Sequence, residues 1–131
     1  IIRNNLKNNK IDINQKLLLD RVRTCKDKVR CYPKLEIFKA CHLITLDKNI
    51  LDCDILELFI RMLPEAIGRQ IQIYKPQSNQ VSWDEKWIIS LIEAISRADY
   101  DSVYFLVTSN IKKKYRNEVL KFASNAKFYI A

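Results

Sequence analysis

The sequence predicts an α/β domain with a small, mainly parallel sheet and crossover helices, preceded by a basic N-terminal helix. Two observations carry this. Short β-branched and aromatic runs alternate with runs of helical period through the second half of the chain. The clearest of them, Ser102 to Ser109, reads as a strand, and a basic helical pattern and a second short run, residues 126–131, follow it. Strands separated by helices of about ten to fifteen residues indicate a parallel sheet, whose ligands meet the carboxyl ends of the strands. The alternative is an all-α domain. Helix rather than strand at 102–108 would decide for it, leaving a generic all-α interaction protein as the reading.

The elements follow in order. Residues 1–10 are rich in Asn and Lys and are expected to fray. From Ile13 to Val29, Leu17, Leu18, Val22 and Cys25 recur at helical spacing, with Asp12 or Asn14 available as N-cap. Pro33 breaks that helix. Leu35 to Leu46 is ambiguous: Leu35, Phe38 and His42 suit a helix, whereas residues 41–46 are short and continuous enough for a buried parallel strand, the reading preferred for that half. Leu51, Ile55, Leu58, Phe59 and Met62 mark a helix over 50–63, closed by Pro64 and Gly68, with Asp52 and Asp54 early in it. Residues 69–75 alternate apolar and polar as a strand does, and 76–80 form an uncharged turn. Ser82 and Glu85 compose a capping box, so a helix starts there, with Trp87, Ile88, Leu91, Ile92 and Ile95 inward. A last helix runs from about 111 to 124, burying Ile111, Tyr115, Val119 and Phe122.

Composition narrows the class. At 131 residues and nearly half apolar, the chain is globular and of single-domain size. It divides into a basic helical extension, 1–33, and a domain, 34–131. The first residue is Ile and the chain stops just after an apolar run, so elements missing at both ends, and a C-terminally truncated domain, are expected. No apolar run approaches the roughly 20 residues of a membrane span, and no secretory signal is present, so a soluble, cytoplasmic protein is expected. The four cysteines have five, nine and eleven residues between them, which fits no CxxC-type zinc motif and favours reduced, buried thiols, with a disulfide pair or a metal site including His42 as the alternatives. No metal site or cofactor is expected.

The net charge of +8 lies at the two ends: nine Lys and Arg against three acids in residues 1–33, and ten against six in 69–131. Such a charge favours acidic partners, although a solvated basic face explains most charge runs. Arg21, Arg23, Lys26, Lys28 and Arg30 on the first helix would be the groups to grip phosphate in a nucleic-acid-binding module. No RNP-type motif or zinc finger strengthens that alternative. The single glycine excludes a P-loop. Asp84-Glu85-Lys86 has the D-x-K form of some nucleases, but the capping box puts it in the first turn of a helix. His42, the only histidine, lies in an apolar run and reads as a core residue rather than a base acting with Cys41 or Ser109.

Several residues resemble the Toll/interleukin-1 receptor (TIR) domain family over about residues 37–131. Phe38, Ala40 and the run to Leu46 are similar to its first strand, and Ala98-Asp99 to its approach to the third. Ser109, Tyr115, Glu118 and Ala123 look like the stretch after that strand. The loop after the second strand lacks the family's Arg-Asp and Pro-Gly signature, Lys39 replaces a common acid, and the usual final elements are absent. The resemblance implies a flavodoxin-like fold and a signalling module working by protein association, self-association included. Its contacts would be Pro76, Gln77, Ser78 and Asn79, with Lys112, Lys113, Lys114 and Arg116. In the family's enzymes, which cleave NAD as substrate, a glutamate at the matching position is catalytic, which would make Glu118 the essential carboxylate of a hydrolase. Independently, helical spacing places Glu118 beside the apolar stripe, where it is either functional or paired with Lys114 or Lys121.

Overall fold

The computed structural model describes residues 12–30 and 52–126. Among them there is no strand: the described chain is helical, which corrects the α/β expectation. The helices are α1 (Ile13–Val29), α2 (Asp52–Ile67), α3 (Trp83–Ser96), α4 (Tyr100–Asn110) and α5 (Arg116–Asn125), with a 3₁₀ turn, Lys113–Tyr115, before α5. The expected strand at 41–46, most of the run 126–131, His42, Cys31, Cys41 and the Cys53 side chain lie outside the described residues. Cys25 is buried and is not in a disulfide.

α2 and α3 form the centre because they are apolar nearly all round, as only a helix enclosed by others can be. α2 buries Ile55, Leu56, Leu58, Phe59, Ile60, Met62, Leu63, Ala66 and Ile67. It runs through Pro64, which lacks the amide that would bond the preceding turn, because the buried Ala66 and Ile67 hold the last turn in the core. α1 packs on α2 and α3 through Leu18, Leu19, Val22, Cys25 and Val29. α4 packs on α3, and α5 on α4. The Phe122 ring of α5 stacks on Phe59 of α2 with centroids 6.0 Å apart.

The residues 102–108, expected as a strand, are α4. Alternation would have buried Val103, Phe105 and Val107 together, whereas the helix buries Val103 and Val107, four apart, and turns Phe105 outward. β propensity is overridden by local and tertiary chemistry. Asp99 caps the helix by accepting from the Ser102 amide, and Trp87 Nε1 of α3 donates to the Leu106 carbonyl at 3.0 Å.

Residues 69–75, the other expected strand, form no strand: 69 is a bend and 70–75 have no regular structure. The alternation is still in use, since Ile71 is buried and Ile73 packs on the core. The amides of Gln72 and Tyr74, two residues apart on one edge, donate to the carboxylates of Asp84 and Glu85. Those carboxylates stand where the carbonyls of a neighbouring strand would be.

α3 ends in a Schellman motif, in which the Ala98 amide donates to the Ile95 carbonyl and the Asp99 amide to that of Ala94. The motif needs a left-handed residue, and Ala98 supplies it at φ 56°. Glycine carries no Cβ penalty there, so Ala98→Gly is expected to raise stability by about 0.5–1 kcal/mol, after allowing for the looser unfolded chain. Urea unfolding midpoints of the two proteins check this.

Candidate functional site

Two features stand out: a buried polar knot and an exposed aromatic face. The knot starts at the capping box of α3, present as the sequence predicts, with Ser82 Oγ accepting from the Glu85 amide and Glu85 from the Ser82 amide. Glu85 is fully buried, so its charge needs a partner, and Arg23 of α1, itself only 3% exposed, supplies it. Arg23 Nε and Nη2 donate to the two oxygens of Glu85 at 2.7 and 3.0 Å. The rest of the guanidinium donates to the carbonyls of Ser78 and Gln80, at 3.0 and 2.5 Å.

With the Tyr74 and Ser82 amides, Glu85 accepts four hydrogen bonds, which fills its oxygens. Beside it, Asp84 receives both terminal nitrogens of Arg69, at 2.9 and 2.7 Å, and the Gln72 amide. The Arg69 bonds, and then the Gln72 amide, hold the Asp84 carboxyl below the ordinary value despite its burial. Glu85 thus has no lone pair left for proton transfer or metal binding, Asp84 accepts three hydrogen bonds, and together they hold the 68–82 loop. Among the described residues, no group of three His, Cys, Asp or Glu side chains is placed to hold a metal ion.

The aromatic face belongs to α4. Tyr100, Tyr104 and Phe105 are 63%, 60% and 68% exposed, whereas the helix buries only Val103 and Val107. Phe105 and Leu106 also line a groove of about 220 Å³ between α3 and α4, shared with Ser90, Glu93, Ala94, Arg97 and Ser102. Asp99 and Asp101 stand at the amino end of α4, and Lys112, Lys113 and Lys114, all exposed, follow its carboxyl end. A second groove, of about 410 Å³, lies between α1 and α2 and includes Leu17, Cys25 and Leu56.

The expected contact residues separate. Lys112, Lys113 and Lys114 are on the surface, at the carboxyl ends of α2 and α4, where cations complement the helix dipoles. The Lys112 amide itself donates to the Ala66 carbonyl. Arg116 is occupied, donating to the carbonyls of Ile111 and Thr108 at the end of α4. Of the 76–80 loop, Gln77 and Asn79 are exposed, Pro76 is half-buried, and the Ser78 carbonyl is held by Arg23. Glu118 is half-buried in the first turn of α5 beside buried Val119.

The basic face expected on α1 is divided as well. Arg23 is interior and Lys28 pairs with Glu57 at 2.5 Å. Arg30 lies 3.8 Å from Asp27, Lys26 and Arg21 are half-buried, and Arg21 and Asp20 border the α1–α2 groove. Sequence reasoning missed Glu85 as a buried ion-pair partner and missed the α4 face. The signal for the latter was Asp99 three residues before Ser102, a cap for a helix rather than a turn into a strand.

No helix among the described residues is long and apolar enough to cross a membrane. Comparison of the chain with known protein families, curated proteins and solved structures finds no match in any of the three.

Removing one member of the buried pair strands the other, so Arg23→Met and Glu85→Leu are each expected to cost about 3–5 kcal/mol. The double variant is expected to cost less than the sum, because the two changes remove one shared interaction. Chemical denaturation measures the cycle, and hydrogen exchange should show the Tyr74 and Ser82 amides losing protection in Glu85→Leu.

Asp84 sets an acid dependence. Its native pKa is lowered, so its contribution is fully present above the unfolded value near 4 and is lost as pH falls through the native value. Asp84→Asn should therefore unfold at lower urea than the parent at pH 7, with the gap closing as the pH falls through the native value of Asp84.

Proposed function

We propose that this chain is a protein-interaction module, helical in its described residues, that docks through the outer face of α4 and its groove against α3. The observation that carries the reading is the outward exposure of Tyr100, Tyr104 and Phe105 from one eleven-residue helix. Exposed aromatics gathered on one element cost solubility and are over-represented at the centres of interfaces, where large rings lose little conformational freedom on burial. Tyrosine adds a hydroxyl that can bond at a wet rim. The 76–80 loop is a weaker candidate, because Arg23 holds its Ser78 and Gln80 carbonyls inward.

The alternatives have less behind them. The NAD-cleaving reading rests on Glu118 through a resemblance that implies an α/β fold, and the described residues have no strand; Glu118 sits in the first turn of α5, where a negative charge complements the helix dipole. A nucleic-acid grip on α1 loses Arg23 to the interior and Lys28 to Glu57.

If Phe105 serves docking rather than folding, Phe105→Ser should change stability by no more than about 0.5 kcal/mol. A photo-reactive benzoylphenylalanine at position 105 should form covalent adducts with protein in the cells that express the chain, while the same residue at exposed Ser124 of α5 should not. Equal labelling at both positions, or none at 105, would remove the reading.

A further inference from the structure

Resting on that reading, we infer that the partner at the α4 face is a second copy of this chain, its α4 packed antiparallel across a two-fold axis. Charge is distributed along this helix with opposite signs at its ends. Asp99 and Asp101 occupy the amino end, and Lys112, Lys113 and Lys114 follow the carboxyl end. Asp99 is already engaged: it caps Ser102 and lies 3.8 Å from Arg97. Asp101 and the three lysines have no ion-pair partner among the described residues.

An isologous contact sets each surface against itself turned by 180°, so a helix of mixed polarity is complementary to its own antiparallel copy. Asp101 of one copy then faces the lysine end of the other, twice over, and the helix dipoles oppose. Phe105, sixth of the eleven residues of α4, falls beside the axis, where two copies of one ring stack with an offset, an arrangement the two-fold permits. Tyr104 lies about 100° round the helix from Phe105 and flanks that contact. A heterologous acidic partner would match the lysines and be repelled by Asp101, Asp99 and Glu93. A basic partner would meet the reverse.

The net charge of +8 on each copy opposes the association. At physiological ionic strength the Debye length is about 8 Å, which screens repulsion between distant charges and leaves direct pairs across the contact. One short helix with its flanking groove is small beside the roughly 800 Å² per partner of a stable interface. The dimer is therefore weak and in concentration-dependent exchange with monomer.

Sedimentation equilibrium at physiological salt, over about a hundredfold range of concentration, tests this. The wild-type average mass should climb from one chain towards two. Phe105→Asp should stay monomeric, as should Asp101→Lys and the double variant Lys113→Glu/Lys114→Glu, each with unchanged far-ultraviolet helicity. Mixing Asp101→Lys with Lys113→Glu/Lys114→Glu should restore a heterodimer, because every contact between them then pairs opposite charges. A monomeric wild type, or folded charge variants that do not pair on mixing, overturns the inference. The cross-linker at position 105 separates the two failures: adducts to a different protein overturn the second copy and leave the docking reading, whereas nucleic-acid adducts or none overturn both.

Discussion

The Arg23–Glu85 pair ties together three parts of the chain, α1, α3 and the loop between α2 and α3. Arg23 projects from α1, Glu85 opens α3, and the loop between α2 and α3 wraps over both, its Ser78 and Gln80 carbonyls on the guanidinium and its Tyr74 amide on the carboxylate. Burying two charges costs several kcal/mol each, and attraction offsets that only when the remaining donors and acceptors are also matched. Here they are, so the pair can act as a registration device. It sets the angle of α1 on α3 and gives irregular backbone the hydrogen bonds it would otherwise take from water. The outer Arg69–Asp84 pair repeats the arrangement at the surface.

From that constraint the rest of the architecture follows. With the loop pinned, α1 packs on both α2 and α3, α4 packs on α3, and α5 on α4. α4 fully buries two side chains, Val103 and Val107, with Leu106 packed on the core and the Trp87–Leu106 and Arg116–Thr108 hydrogen bonds holding it, and the other side of its circumference is outside. An element that contributes little to the core is free to carry a surface, and this one carries two tyrosines and a phenylalanine with opposite charges at its ends. The basic groups at the other end of the sequence are not equivalent. Arg23 is consumed by the knot, so the charge of the chain overstates the positive surface on α1.

Much of the helical part was legible from sequence. α1, α2, α3 and the last helix were placed by the spacing of apolar side chains, and the capping box by Ser82 and Glu85, because a helix stripe and a cap are written in residues three and four apart. The α4 face was not, because Ser102 to Ser109 is a run whose composition suits a strand and whose Val103 and Val107 suit a helix equally well. The choice depended on α3 standing ready to receive two valines and a carbonyl, with Asp99 as cap.

The same division holds for 69–75, where the alternation of Ile71 and Ile73 was read correctly and the partner was not. Nothing in the spacing of Asp84 and Glu85 says that their carboxylates turn back to bond two amides a dozen residues earlier. Local chemistry, acting within one or two helical turns, was enough for the existence of four helices, the cap of α3 and the broad basic character. The partner of each buried charge, the helical state of α4 and the exposure of its aromatics needed the tertiary structure. Those depend on which segments, distant in sequence, come within hydrogen-bond reach, and burial changes the worth of a charge or a β-branched run by more than its intrinsic preference.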